Sequence, residues 1–239
     1  MKVWVIASRE LASFFDSLMA YIMLVAFLGF SGFFTWLYGS DIFFIQQASL
    51  QVFFAIAYWT LFFFIPALTM RLLAEENRTG TIEMLMTKPI SDWQVVLGKF
   101  VSVMILILIA LVLTLPYYFT VASLGSIDHG ATITGYLGLI LMSAVYVGIG
   151  LFASSISNNQ IVAFLLALLI SIFFHIIFNV LSFSVTGALG SLFAYLSLTT
   201  HFDSISRGVI DTKDLIYFIS IAFLGLVATE AMLAKRNTA

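Results

Sequence analysis

Long apolar runs broken by short polar clusters dominate this chain, and their lengths set the first expectation. Between Asp16 and Asp41 lie 24 residues without Lys, Arg, Asp or Glu, between Asp41 and Arg71 lie 29, and between Lys99 and Asp128 lie 28. From His129 to Phe202 no such residue occurs at all. A helix rises about 1.5 Å per residue and bilayer hydrocarbon is about 30 Å thick, so one crossing takes about 20 residues. The pattern predicts an all-α, polytopic membrane fold. It forms one transmembrane domain over residues 1–239, with six transmembrane helices near 17–38, 50–70, 100–124, 133–153, 160–181 and 215–233.

The polar but chargeless run Ser154-Ser155-Ile156-Ser157-Asn158-Asn159 separates the fourth crossing from the fifth. The last crossing must absorb Glu230. Ten Leu, Ile, Phe or Val residues between Leu215 and Leu233 favour insertion by about 0.3 to 0.6 kcal/mol each, against roughly 2.5 to 3.5 kcal/mol for a mid-membrane carboxylate. Residues 181–200 are interrupted by Ser182, Ser184, Thr186, Gly187, Gly190, Ser191, Ser197 and the Thr199-Thr200 pair. They read as re-entrant or interfacial helix on the outer side more readily than as a seventh span. At the N-terminus, Ala7, Leu11, Phe14, Phe15 and Leu18 recur at three- and four-residue spacing, with Arg9, Glu10 and Asp16 elsewhere. That is the pattern of a helix lying in the membrane interface over 3–16, the plainer alternative being an extension of the first span. Lys2 alone is a poor basic start and the first apolar run is too long for a signal peptide, so this segment is expected to remain on the mature protein.

Composition narrows the function classes. The chain is 62% apolar and only 9% charged, whereas soluble domains carry about 25% charged residues. A net charge of −2 lacks the basic footprint of a nucleic-acid partner. There is no Cys, hence no disulfide, thiolate metal site or sulfur nucleophile. No His-Glu-x-x-His, Gly-x-Ser-x-Gly or phosphate-binding loop is present, so no catalytic residue, metal site or cofactor is assigned to this chain. With six spans, Lys2, Arg9, Arg71, Arg78, Lys88, Lys99, Lys235 and Arg236 fall on one side and only Arg207 and Lys213 on the other. The positive-inside rule then makes both termini cytoplasmic. Among polar groups inside the spans, Tyr58, Ser143, Tyr146, His175 and Asn179 are candidates to line a translocation path. His175 and Asn179, four residues apart, share a helix face. The plainer role for each is a hydrogen bond to a neighbouring helix. His129 and His201 stand by themselves in loops.

The 71–99 segment is the informative polar piece. It gathers Arg71, Glu75, Glu76, Arg78, Glu83, Lys88, Asp92 and Lys99, more than a span connection needs. Gly80 allows a turn, a short amphipathic helix is expected over 81–87 with Ile82, Leu85 and Met86 apolar, and Pro89 ends it. Ser91-Asp92-Trp93-Gln94 reads as a capping box that starts the helix of the third span. A small apolar ridge flanked by carboxylates suits docking on a soluble partner.

At these residues a resemblance appears. Glu75-Glu76-Asn77-Arg78-Thr79-Gly80-Thr81-Ile82-Glu83-Met84-Leu85, followed by Pro89 and Gly98-Lys99, resembles the cytoplasmic coupling segment of type-2 ABC export permeases. The N-terminal amphipathic helix, the six spans and the final outer loop extend the likeness over nearly the whole chain. Within that family the chain is most similar to gliding-motility permease subunits, with His201 to Asp211 before the last span adding to the likeness.

The resemblance implies a permease subunit of an ATP-binding-cassette transporter in a bacterial inner membrane. It would work with a separate cytosolic ABC ATPase that binds ATP and Mg, and with a second permease chain as homo- or heterodimer. A membrane-anchored subunit with a large outer domain is a further implied partner. Glu75, Glu76, Gly80, Thr81, Glu83 and Leu85 become the expected ATPase-coupling residues, and export or mechanical work such as gliding motility the expected output. The competing class is an ion-gradient-driven secondary transporter or channel, for which the spans offer few charged coupling groups.

Overall fold

A computed structural model describes residues 2–38, 48–81 and 90–237. Every regular element among them is helical. In chain order these are α1 (Lys2–Asp16), α2 (Met19–Trp36), α3 (Gln51–Thr69), α4 (Ala74–Thr79), α5 (Asp92–Val112), α6 (Leu115–Leu124), α7 (His129–Ser155) and α8 (Gln160–Ile172). A π-helical turn, Phe173–Ile177, follows. Then come α9 (Phe178–Ser184), α10 (Ala188–Leu196), α11 (Leu198–Ser206) and α12 (Thr212–Asn237).

Six stretches are long and apolar enough to cross a membrane: Met19–Trp36, Gln51–Thr79, Asp92–Leu124, His129–Ser155, Gln160–Ser184 and Thr212–Lys235. The expected all-α polytopic fold with six crossings is therefore the fold observed. By topology an even number of crossings returns the chain to its starting side, so both termini share one face, here called the terminal face.

The interruptions follow from local chemistry. Leu18 sits at φ 57 between α1 and α2, turning the chain from one helix into the next. This corrects the expected apolar stripe of the first helix: Ala7 and Phe14 are buried, but Leu18 is 64% exposed, because the turn swings it off that face. In the third crossing Pro116 stands in the first turn of α6. Its missing N–H and its ring bulk break the run that α5 would otherwise continue. Gly187, at φ +82, ends the 181–187 stretch by reversing the chain. Phe193 of α10 then stacks on Phe178 of α9 at 6.1 Å. Residues 188–196 therefore fold back beside the end of the fifth crossing, and no seventh crossing forms.

The fourth crossing, α7, is the hub. It packs against α3, α5, α8, α11 and α12 and is 72% buried, against 22% for the fifth crossing and 28% for the first. Close helix approach within lipid needs small residues, because van der Waals contact replaces the hydrophobic drive. At the α7–α12 crossing, a Cβ on Gly148 would lie 2.8 Å from the Ala222 carbonyl oxygen, and one on Gly225 would lie 2.6 Å from the Gly148 carbonyl carbon. Backbones that near leave room for no side chain.

Candidate functional site

The polar segment that leaves the second crossing is anchored to all its neighbours on the terminal face. Its helix breaks between α3 and α4, which leaves backbone groups without helical partners. Ser154 supplies them. Its hydroxyl donates to the Met70 carbonyl at 3.0 Å and accepts the Leu73 and Ala74 N–H groups at 3.0 Å each, which is all a hydroxyl can do. Asn77 donates its amide to the carbonyls of Ser155 (3.3 Å) and Ser157 (3.1 Å). Gln160 donates to the Glu75 carboxylate, and Arg78 pairs with Glu75 at 2.7 Å. These donors, Gln160 first, hold the Glu75 carboxyl below its usual range. The 154–160 run that the sequence shows as a polar separator is in fact the socket for α4.

On the opposite flank sits a buried lysine. Lys99 of α5 is fully buried, yet its ammonium donates to Glu76 at 2.7 Å, to the Leu72 carbonyl at 2.7 Å and to Glu10 of α1 at 3.3 Å. Three protons meet three acceptors, so the buried charge is solvated by protein. Arg9 adds contacts to Glu10 at 2.7 Å and to Glu76 at 3.7 Å. Burial alone would raise the Glu10 carboxyl, but the positive charges of Lys99 and Arg9 outweigh it and hold the group below its ordinary value. Glu76 Oε2 has no hydrogen-bond partner among the described residues. A cavity of about 650 Å³ opens beside the cluster, lined in part by Arg9, Glu10, Arg71, Glu75 and Glu76. α1 reaches this node by lying tightly along α5: a Cβ on Gly98 would fall 2.6 Å from Ile6.

Beyond α4, Gly80 closes the helix at φ +71 with open space around it. Glycine is therefore needed there for its backbone and not for packing. The Thr81 hydroxyl meets that of Thr79 at 2.9 Å. Glu83, Leu85, the short helix expected over 81–87 and Pro89 lie outside the described residues. The expected capping box is present: Gln94 N–H donates to the Ser91 hydroxyl at 3.4 Å, and Ser91 N–H donates to the Gln94 side chain at 3.3 Å.

Of the candidate path residues, three converge. Tyr146 bonds His175 through Nδ1, and Tyr58 stacks on the imidazole at 4.1 Å. Trp59 and Phe62 each stand 4.6 Å away. The π turn redirects the His175 carbonyl, which accepts the Thr199 hydroxyl at 2.6 Å; that hydroxyl also meets Tyr58 at 2.6 Å. His175 Nε2 is buried without a partner among the described residues. Asn179 lines the same cavity as Tyr58 and His175. Ser143 does not join them, because its hydroxyl returns to the Leu139 carbonyl at 2.6 Å.

Sequence reasoning missed two features here. His201 does not stand by itself: Nδ1 meets the buried Asp214 at 2.6 Å, Nε2 meets the Tyr195 carbonyl at 2.9 Å, and Tyr217 stacks on the ring at 4.0 Å. His129 likewise pairs with Tyr118 at 2.9 Å. The second omission is the role of Arg9, Glu10 and Lys99. The only signal available was Lys99 at the very start of an apolar run, where a charge without a partner would be costly.

Two findings from comparison complete the picture. Residues 40–234 match the family described as ABC-2 family transporter protein. No curated protein matches the chain.

Proposed function

Because the chain belongs to the ABC-2 family of transporter proteins, and is thus a permease subunit of an ABC transporter, we propose that its 71–99 segment receives the stroke of a separate cytosolic ATPase. ATP and Mg would bind on that partner, and two permease chains would form the membrane body. Glu75, Glu76, Gly80 and Thr81, with Glu83 and Leu85 beyond them, are the proposed contact and transmission residues. The terminal face is then the cytoplasmic face of a bacterial inner membrane, as its excess of Lys and Arg favours.

One observation carries this reading: the Lys99 node with its companion socket at Ser154. A linker that only joined two spans would gain nothing from being tied at once to α1 and to the third, fourth and fifth crossings. A displaced foot so tied must move several helices together, because packed interiors shift between discrete arrangements and do not yield continuously. α1, held to the foot through Glu10, is proposed to lie in the membrane interface and to move with it. Gliding motility, with a membrane-anchored subunit that carries an outer domain, is the proposed use. The similarity of the 201–211 segment to gliding-type permeases supports it.

The test is reconstitution of the chain with its ATPase in proteoliposomes. Gly80→Pro and Glu83→Ala are expected to leave insertion intact while lowering ATP hydrolysis at least severalfold. Full hydrolysis and full co-purification in both variants would overturn the coupling role. Loss of spreading in cells that carry Gly80→Pro would tie the stroke to gliding, and unchanged spreading would count against that use.

A further inference from the structure

The face opposite the termini holds a cavity that the coupling reading does not use. It measures about 560 Å³, within the range of small-molecule sites. α3, the π turn with α9, and α11 form its walls. At one end stand Gln51, which opens α3, and Ser206 and Arg207, which close α11. Its floor lies seven residues further along α3, at Tyr58 and Trp59, which is about 10 Å deeper at 1.5 Å per residue. A polar mouth over an aromatic floor at that depth matches the boundary between lipid head groups and acyl chains. A neighbouring cavity of about 750 Å³ shares Gln51, Phe54, Ser206 and Arg207 and links the mouth to the opposite face.

The charges at the mouth are of both signs. Asp203 and Arg207 stand one helical turn apart and both line the cavity. Arg207 spends its Nε proton on the Asp203 carbonyl at 2.9 Å, and among the described residues its terminal nitrogens have no hydrogen-bond partner. No hydrogen bond or ion pair to the Asp203 carboxylate occurs among the described residues, and burial lifts that carboxyl against the opposing pull of Arg207. Asp128, which lines the neighbouring cavity together with Arg207, is engaged in capping α7 through the Ala131 N–H at 3.0 Å. The amides of Gln51 and Asn179 add neutral donors and acceptors. Deeper in, His175 is 2% exposed and lines the cavity, and its Nε2 has no partner among the described residues. Laterally the site meets lipid, since Trp59 is 45% and Val180 55% exposed.

We propose that this cavity binds the head of an aminophospholipid, with its phosphate on Arg207, its primary ammonium on Asp203, and its acyl chains leaving past Trp59 and Val180. A ligand with both charges satisfies both side chains. An anionic lipid without an amine would set its phosphate beside Asp203 with no compensation. A quaternary ammonium brings no N–H to the carboxylate, and charge-assisted hydrogen bonds are the strong ones. The glycerol ester region would then lie near Asn179 and His175. The inference concerns binding by this chain alone and stands whether or not the ATPase partnership holds.

The experiment uses the full chain in phosphatidylcholine nanodiscs that contain a minor fraction of bromo-acyl phosphatidylethanolamine, phosphatidylglycerol or phosphatidylcholine. Trp59 is the sole fluorophore after Trp4→Phe, Trp36→Phe and Trp93→Phe. Brominated phosphatidylethanolamine should quench Trp59 with an apparent affinity about fivefold above the other two, and Asp203→Asn or Arg207→Gln should abolish that preference. Equal quenching by all three lipids would overturn the proposal, as would a preference that survives both substitutions. Strongest quenching by phosphatidylglycerol would replace it with an anionic-lipid site. Native mass spectrometry of the unmodified chain with the mono-, di- and trimethylated ethanolamine lipids needs no substitution. Retained lipid should fall stepwise with each lost N–H, and a flat series would refute the role of Asp203.

Discussion

Lys99 and His175 are both basic side chains buried among membrane helices, and the protein treats them in opposite ways. Lys99 has an acceptor for each of its protons, drawn from α1, the α3–α4 break and α4. His175 has one nitrogen on Tyr146, rings around it, and a second nitrogen with nothing to bond among the described residues. The first arrangement fixes a geometry: a buried ammonium with an acceptor for every proton resists any motion that separates it from them. The second leaves a ring nitrogen beside a cavity without a partner among the described residues. The difference teaches that the terminal face spends its buried charge on fixing a geometry, while the opposite face keeps polar groups beside a cavity.

Breaking the saturated node should have the largest effect. Lys99→Met leaves Glu10 and Glu76 with only the exposed Arg9 between them, and should cost about 3 to 5 kcal/mol. Equilibrium unfolding in mixed detergent micelles would measure it, and a loss below about 1 kcal/mol would mean water already solvates the cluster. Next comes Ser154→Ala, which strips partners from the Met70 carbonyl and from the Leu73 and Ala74 N–H groups; a cost of about 2 to 3 kcal/mol is expected. Hydrogen exchange should rise at 70–79 and not around His175. A smaller effect, about 1 to 2 kcal/mol, is expected of Tyr146→Phe, which removes the one partner His175 has. Combining it with His175→Phe should recover part of that loss, since replacing both members of a buried pair is close to neutral. A double-mutant cycle with no coupling would show that the aromatic box, and not the hydrogen bond, holds the ring.

The mildest test uses pH. The folded Glu10 carboxyl titrates below its ordinary value of 4.5, so it contributes stability that is present above that value and fades as pH falls through the folded pKa. Glu10→Gln should therefore flatten the acid limb of the stability profile and leave the slope above pH 6 unchanged. An acid limb of the same steepness in the variant would assign that proton uptake elsewhere.

Much of the architecture could be read before any coordinates existed, and the reason is the solvent. In lipid every backbone polar group must be bonded internally, so a long apolar run has one solution, a helix. Charge-free runs thus locate the crossings, and Ser91 with Gln94 marks where α5 begins. The site was less legible. Glu75 and Glu76 stand out as charges in a short polar segment, but their partners Gln160, Arg9 and Lys99 lie 85, 67 and 23 positions away. Nothing in local spacing announces such pairings. The same holds for His201, whose partners Asp214 and Tyr195 come from two other helices.

Hydropathy alone settled that this chain is helical and polytopic and that one face gathers the positive charge, because burial in hydrocarbon acts residue by residue and leaves its mark in order along the chain. Folding in three dimensions decided which polar groups became partners: that Ser154 would mend the break between α3 and α4, that α1 would be bound to α4 through a lysine of α5, and that His175 would be left one bond short. Those outcomes depend on helix crossings set by small residues such as Gly148 and Gly225, and distances between helices are a property of the packed assembly that no single segment encodes.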